Sequence, residues 1–369
     1  MIMAKWIHSV PAWTLGPRAA NAKFGGNIVL NGIPDVQDRL LAITQFSRSL
    51  GMAGEYALLT SGHLMLEIKT RIPRLKKFNA DGAISVKDLK AGIRAGMFPR
   101  ILAITAPQFG FKGAERGGMI SEDTVDEDMA FDLHVEAIEL ATELKEQDMG
   151  EGVTIWWPAF TSRSLNPLGR GSLPFNKACD MMLEFWVSVL GKTGGVMHLE
   201  WKPCDPGIDY LCTIALAIDF CNKVNKILKR RAMVINNEFA HILLQGIPVA
   251  EGMRQTIVAG LFTGFVHTNS NLMYPVNIQA LIDSGIAIEK VLGGMDLDWP
   301  VGVGGQAIWD DQQSAISMMD KSGVSTVFCE HDLNPAGEDP FEVHKLSIEN
   351  VVKMLKATRR APGAPPWGD

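Results

Sequence analysis

Eight short apolar stretches recur along the chain, with helical spacing in the segments between them. This alternation constrains the fold more than any other feature. The strand candidates are Lys5–Val10, Glu55–Thr60, Arg100–Thr105, Val153–Trp157, Val196–Trp201, Ala232–Asn237, Gly264–Thr268 and Val324–Cys329. Between them, Asp35–Leu50 repeats apolar residues near a 3.6-residue period. Ser85-x-x-Asp88 reads as a helix start ahead of Leu89 and Ile93. Phe131, Val135, Ile138 and Leu144 fall on one helix face, and Leu211–Arg230 forms another helix. Lys229, Arg230 and Arg231 stand where cations complement a helix C-terminus, so they read as a solvated helix end rather than a nucleic-acid patch. Eight alternating units favour a closed (β/α)8 TIM barrel over an open doubly wound sheet. Gly302-Val303-Gly304-Gly305 does not open a helix directly after a strand, which sets aside a dinucleotide loop. Residues 1–355 read as one barrel domain. Residues 356–369, with Pro362, Pro365 and Pro366, read as a C-terminal extension.

Composition narrows the class. The 369 residues suffice for one large α/β domain, and 47% hydrophobic with 21% charged residues is ordinary for a globular chain. A net charge of −6 disfavours a polyanion partner. Five cysteines with no CxxC pair read as reduced thiols. No basic start followed by an apolar stretch marks a secretory signal, and no apolar run reaches bilayer length, so the expected setting is cytoplasmic, without membrane or nucleic-acid partners.

In a barrel of this kind the chemistry sits at the C-terminal ends of the strands. Strand five ends in Glu200-Trp201-Lys202-Pro203-Cys204-Asp205-Pro206, where a carboxylate and an ammonium two residues apart share one face. Strand six ends in Asn237-Glu238-x-x-His241, strand seven in Val266-His267-Thr268-Asn269, and strand eight in Cys329-Glu330-His331-Asp332. Asp296-Leu297-Asp298 adds an acid pair. Carboxylates gathered in a low-dielectric mouth repel one another unless a divalent cation, or two, neutralises them. An oxygen-rich set with one or two imidazoles suits Mg²⁺, Mn²⁺ or Co²⁺ better than a thiolate-seeking metal.

The run Glu200-x-Lys202-Pro203-x-Asp205-Pro206, followed by Asn237-Glu238-x-x-His241, the Leu261–Asn269 strand and Asp296-x-Asp298, resembles the xylose isomerase family in order and residue type. Trp13-x-x-Gly16, Phe24-Gly25, Phe109-Gly110-Phe111 and Ile155-Trp156 are similar to that family's pocket segments. One departure is His267, which stands where xylose isomerases have an aspartate and resembles the aromatic-His-x-Asn motif of rhamnose isomerases. Another is strand two, which ends Leu58-Leu59-Thr60-Ser61 without the family's His-Asp pair, leaving His63 as the substitute.

The resemblance implies a first metal held by Glu200, Glu238, His267 and a strand-eight acid, Glu330 being preferred to Asp332. It implies a second metal held by Glu238, His241, Asp296 and Asp298. Lys202 would steady the carbonyl oxygen and Asp298 would steer a metal-bound water. Trp13, Phe24, Phe109 and Trp156 would wall the pocket, and Asn269 would touch the sugar. The implied activity is aldose–ketose isomerisation of a free, unphosphorylated sugar by a metal-assisted 1,2-hydride shift, in a homodimer or homotetramer. The alternative is a single-metal ketose epimerase, or a related sugar lyase, that moves protons between paired Glu carboxylates.

Overall fold

The structure, a computed structural model, describes residues 3–16, 32–52, 54–66, 82–106, 118–120, 124–158, 175–203, 210–271, 298–334 and 339–359. Its central element is a ring of parallel strands: β1 (Lys5–Pro11), β2 (Tyr56–Thr60), β3 (Arg100–Thr105), β4 (Gly150–Trp156), β5 (Met197–Leu199), β6 in two pieces (Met233–Ile235 and Asn237–Glu238), β7 (Phe265–His267) and β8 (Thr326–Glu330). Each strand pairs with its sequence neighbour, and β1 pairs with β8. The first piece of β6 joins β5 and the second joins β7, so this one strand closes the circle. This is the expected (β/α)8 barrel, and all eight strand expectations fall on its strands.

Helices α1 (Val36–Ser49), α2 (Val86–Arg94), α3 (Thr124–Glu146), α4 (Phe175–Thr193), α5 (Ile214–Leu228), α6 (Phe239–Leu244), α7 (Val249–Val258), α8 (Gln306–Asp320) and α9 (Pro340–Arg359) surround the ring. Their starts are where the cap residues stand. Asp35 accepts from the Gln37 N–H, Ser85 from Asp88 and Thr213 from Leu216. Helix α9 passes residue 355 without a break. No described helix is long and apolar enough to cross a membrane.

Strand alternation divides the core into two layers. Ile7, Tyr56, Leu58, Val153, Ile155, Phe265 and Phe328 fill the barrel interior. Their neighbours Trp6, Trp156, Leu199, Trp201, Val266, Val327 and Cys329 pack outward under the helices. Strands β7 and β8 approach so closely at Gly264 (φ +98°) that a Cβ there would lie 2.3 Å from the Thr326 carbonyl oxygen.

The basic run after α5 is not simply solvated. Arg230 donates to the Leu190 and Gly195 carbonyls at 2.7 and 2.8 Å, and Arg231 donates to the Phe262 carbonyl at 2.8 Å. Carbonyls left over at helix ends and turns need donors, and these guanidiniums supply them. At the same end of the barrel Arg359 forks onto Asp320 (2.6 and 3.0 Å) and reaches the Ala4 carbonyl, while the Trp6 indole also donates to Asp320. The Asp320 side chain is only 1% exposed, so truncating Arg359 strands a buried carboxylate. Arg359→Ala should cost about 2–3 kcal/mol, discounted from a fully buried pair because the arginine itself is partly exposed. Urea unfolding is the measurement, and a loss below ~0.5 kcal/mol would show that the clamp is decorative.

Candidate metal centre

The alternation that fills the interior with Val153, Phe265 and Phe328 carries on past the strand ends and decides which side chains face the barrel mouth. On β5 the inward residues are His198, Glu200 and Lys202; on β6, Asn236 and Glu238; on β7, His267 and Asn269; on β8, Glu330 and Asp332. One donor atom each from Glu200, Glu238, His267 and Asp332 lies within 4.8 Å of all the others. The first three are buried and the Asp332 side chain is 17% exposed. The Nδ1 of His267 is 3.2 Å from Glu200 Oε2 and 3.6 Å from both Glu238 Oε2 and Asp332 Oδ2.

Such a cluster is frustrated as it stands. Burial, then the neighbouring Glu238 and Asp332 carboxylates, push the Glu200 carboxyl well above its ordinary range, with Lys202 opposing. The carboxyl oxygens of Glu200 and Glu238 lie within 4.8 Å of each other, so the second charge is costly to add. Burial lowers the pKa of His267, and neither of its ring nitrogens makes a hydrogen bond of good geometry. Three carboxyls and an imidazole converging on one point, two of its nitrogens unsatisfied, fit a hard or borderline divalent cation.

Side chains around the four donors hold them in place. Asn236 interrupts β6. Its amide donates to Glu200 Oε2 at 3.0 Å and its carbonyl accepts the His267 N–H at 3.2 Å. Asn269 spends its amide nitrogen on Glu238 Oε1 (2.7 Å), Asp298 Oδ1 (2.9 Å) and the Asp332 carbonyl (3.1 Å), and its oxygen on the Ala240 N–H (2.8 Å). It therefore positions the site residues. His241 sits on the first turn of α6 with Nε2 3.3 Å from Glu238 Oε2. Asp298 adopts φ 43°, a left-handed conformation that aspartate tolerates.

Other expected site residues stand elsewhere. Glu330 is fully buried, one layer below the mouth. Its Oε2 accepts from Ser9 at 2.5 Å and it is not among the four converging donors, so Asp332 is the strand-eight acid that reaches them. Trp156 is a correction. It points outward, fully buried against Trp186 and Phe220, because it has the wrong parity for the mouth. The indole with the right parity is Trp157, over which the Lys202 ammonium lies at 4.9 Å. Trp13 follows β1 as a half-buried residue of a short 3-10 turn. The His63 ring is buried, accepting the Thr60 N–H and facing Arg39 at 3.4 Å. Phe24, Phe109 and Asp296 lie outside the described residues. Sequence reasoning missed Asn236 and Trp157. The signals were three consecutive polar residues inside a strand (Asn236-Asn237-Glu238) and the strict in–out count along β4.

Fold and site together define a (β/α)8 barrel with a buried carboxylate–imidazole cluster at the C-terminal ends of β5 to β8. No protein-family profile and no curated protein matches the chain. Among solved structures, it is similar to an L-ribulose 3-epimerase (TM-score 0.56, 13% identity, covering 99% of this chain and 100% of that one). It is similar also to a 3-keto-D-glucoside 4-epimerase from E. coli (TM-score 0.54, 13% identity, 95% and 99% covered). A third is a family 2 AP endonuclease from Brucella melitensis (TM-score 0.52, 11% identity, 92% and 96% covered). At these identities the likeness shows a shared fold.

Proposed function

We propose that this protein is a divalent-metal-dependent enzyme that epimerises a free, unphosphorylated ketose by proton transfer at the carbon beside the carbonyl. The observation that carries this reading is the four-donor cluster of Glu200, Glu238, His267 and Asp332, the one such cluster among the described residues. The two sugar epimerases that share the fold support it. The net charge of −6 argues against a nucleic-acid backbone as substrate.

Glu200, Glu238, His267 and Asp332 would hold the ion. When bound, it supplies Lewis-acid polarisation of the sugar carbonyl. Inverting a carbon needs a base on one face and an acid on the other. Glu200 on β5 and Asp332 beyond β8 approach the site from strands three apart around the ring, which suits them to that pair of roles. Lys202, held over Trp157, places positive charge beside Glu200 and stabilises the negative charge that develops on the carbonyl oxygen.

The second reading is the two-ion aldose–ketose isomerase with hydride shift. His241 and Asp298 favour it, because both stand beside Glu238. There, Glu238 would bridge two ions, with His241, Asp296 and Asp298 completing the second. The one-ion reading is preferred because Asn269 already occupies Glu238 Oε1. A panel of free ketoses and aldoses with Mn²⁺, Co²⁺ and Mg²⁺, run in D2O, separates the two. Proton transfer should place deuterium on carbon in the product, whereas a hydride shift leaves none there. No turnover of any free sugar would sink both readings.

A further inference from the structure

The alternation that turns Glu330 and Asp332 toward the mouth turns Cys329 and His331 the other way, into the layer between sheet and helices. There they meet His8 of β1. One donor atom each from His8, Cys329 and His331 lies within 4.8 Å of the other two, and all three residues are buried. We infer that these residues form a second metal site, soft in character and separate from the mouth, which takes Zn²⁺ as a clip between β1 and β8.

The spacing is close to what zinc requires. Tetrahedral bonds of about 2.0–2.1 Å to nitrogen and about 2.3 Å to sulfur put two nitrogens roughly 3.3 Å apart and a nitrogen and a sulfur roughly 3.6 Å apart. His8 Nδ1 and His331 Nε2 are 2.9 Å apart, and Cys329 Sγ is 3.6 Å from the same His331 nitrogen. A small parting of the two rings admits the ion with no change of strand register.

The surroundings are arranged as a metal site needs. The other ring nitrogen of His331 meets Ser347 Oγ of α9 at 2.9 Å, the kind of outer contact that fixes a ligating imidazole's tautomer. The Thr268 hydroxyl is 2.9 Å from Cys329 Sγ and donates to the Glu330 carbonyl at 3.0 Å, and a thiolate would compete for that one hydrogen. On binding, the Cys329 thiol proton leaves to solvent, one sulfur and two nitrogen lone pairs fill three of the four tetrahedral positions with a water in the fourth, and His8 carries its proton on Nε2. The donor sets differ in softness. Three carboxyls and an imidazole at the mouth suit a hard cation, while a thiolate and two imidazoles behind β8 select Zn²⁺ or Co²⁺.

Co²⁺ added to the full-length protein is the test, because a thiolate ligand gives a thiolate-to-cobalt charge-transfer band and the described donors of the mouth are carboxylates and an imidazole. The expected result is that band at one equivalent per chain, with visible bands of tetrahedral cobalt, both bleached by Zn²⁺. His267→Ala, which cripples the mouth, should keep the band. Cys329→Ser should abolish it and His8→Phe should weaken cobalt binding at least tenfold. Folded, cobalt-loaded wild-type protein with no such band would overturn the proposal, and so would a band that survives in Cys329→Ser. The His267→Ala arm keeps these outcomes independent of the mouth site, whose described donors include no sulfur.

Discussion

Glu238→Gln should lower Mn²⁺ affinity by two orders of magnitude or more and abolish sugar turnover, yet leave the metal-free protein more stable than metal-free wild type. The opposite signs come from one cause. Glu238 stands within reach of Glu200 and His267, and its charge is among the causes that push the Glu200 carboxyl upward. A buried carboxylate that lacks its cation adds repulsion and desolvation cost; the same carboxylate with its cation is a ligand. Glutamine keeps the shape and can still accept the Asn269 amide that now meets Glu238 Oε1 at 2.7 Å, so little packing changes. For a chain of this size a gain of roughly 1 kcal/mol appears as about 1–2 °C in melting temperature. Saturating Mn²⁺ should reverse the ranking, because it stabilises only the protein that binds it. Calorimetry with and without Mn²⁺ measures both. Equal metal-dependent gains in the two proteins would show that Glu238 is not a ligand.

The barrel was legible because its signal is repetitive. Eight apolar stretches with helical patterns between them leave few alternatives, and Ser85 marks its helix start by local chemistry alone, whereas the helix expected from Leu211 begins only after the Thr213 cap. The mouth was legible in residue type, since Glu200, Glu238 and His267 end successive strands. What local reading loses is direction. Trp156 and Trp157 are chemically alike and adjacent, and only the in–out count from Val153 and Ile155 assigns one to the core and the other to Lys202. Glu330 and Asp332 share parity, so alternation does not separate them. The difference is depth along the barrel axis, which is set by how β8 pairs with β1 and β7, and Ser9 of β1 then claims Glu330. Asn269 posed a similar difficulty. An asparagine beside a metal ligand reads equally as a substrate contact or as a brace, and only its three acceptors show that it is a brace.

The two acids of strand eight should separate cleanly by substitution. Asp332→Asn is expected to weaken Mn²⁺ binding at least a hundredfold, and Glu330→Gln to change it by less than about threefold, as for ligand and non-ligand carboxylates. The effects on pH dependence should be reversed. Burial pushes the Glu330 carboxyl up to about 8, against the opposing pull of the Ser9 hydrogen bond. Between its ordinary value of 4.5 and about 8 the folded protein therefore holds a proton that the unfolded chain has released. That contribution to stability is fully present below the lower value and is lost as pH rises to the upper one, at about 1.4 kcal/mol per pH unit for one proton. Glutamine cannot titrate, so the metal-free Glu330→Gln protein should lose stability less steeply across this window than wild type, by close to one proton. Below pH 6.5 the buried His8, His198 and His344, lowered to about 4, add an opposite slope to both proteins, so stability there falls as pH falls, and it falls more steeply in Glu330→Gln by that same proton. Urea midpoints from pH 5 to 8.5 and Mn²⁺ titration calorimetry are the measurements. If Glu330→Gln proves to be the variant that loses the metal, Glu330 reaches the ion and Asp332 yields its place to it.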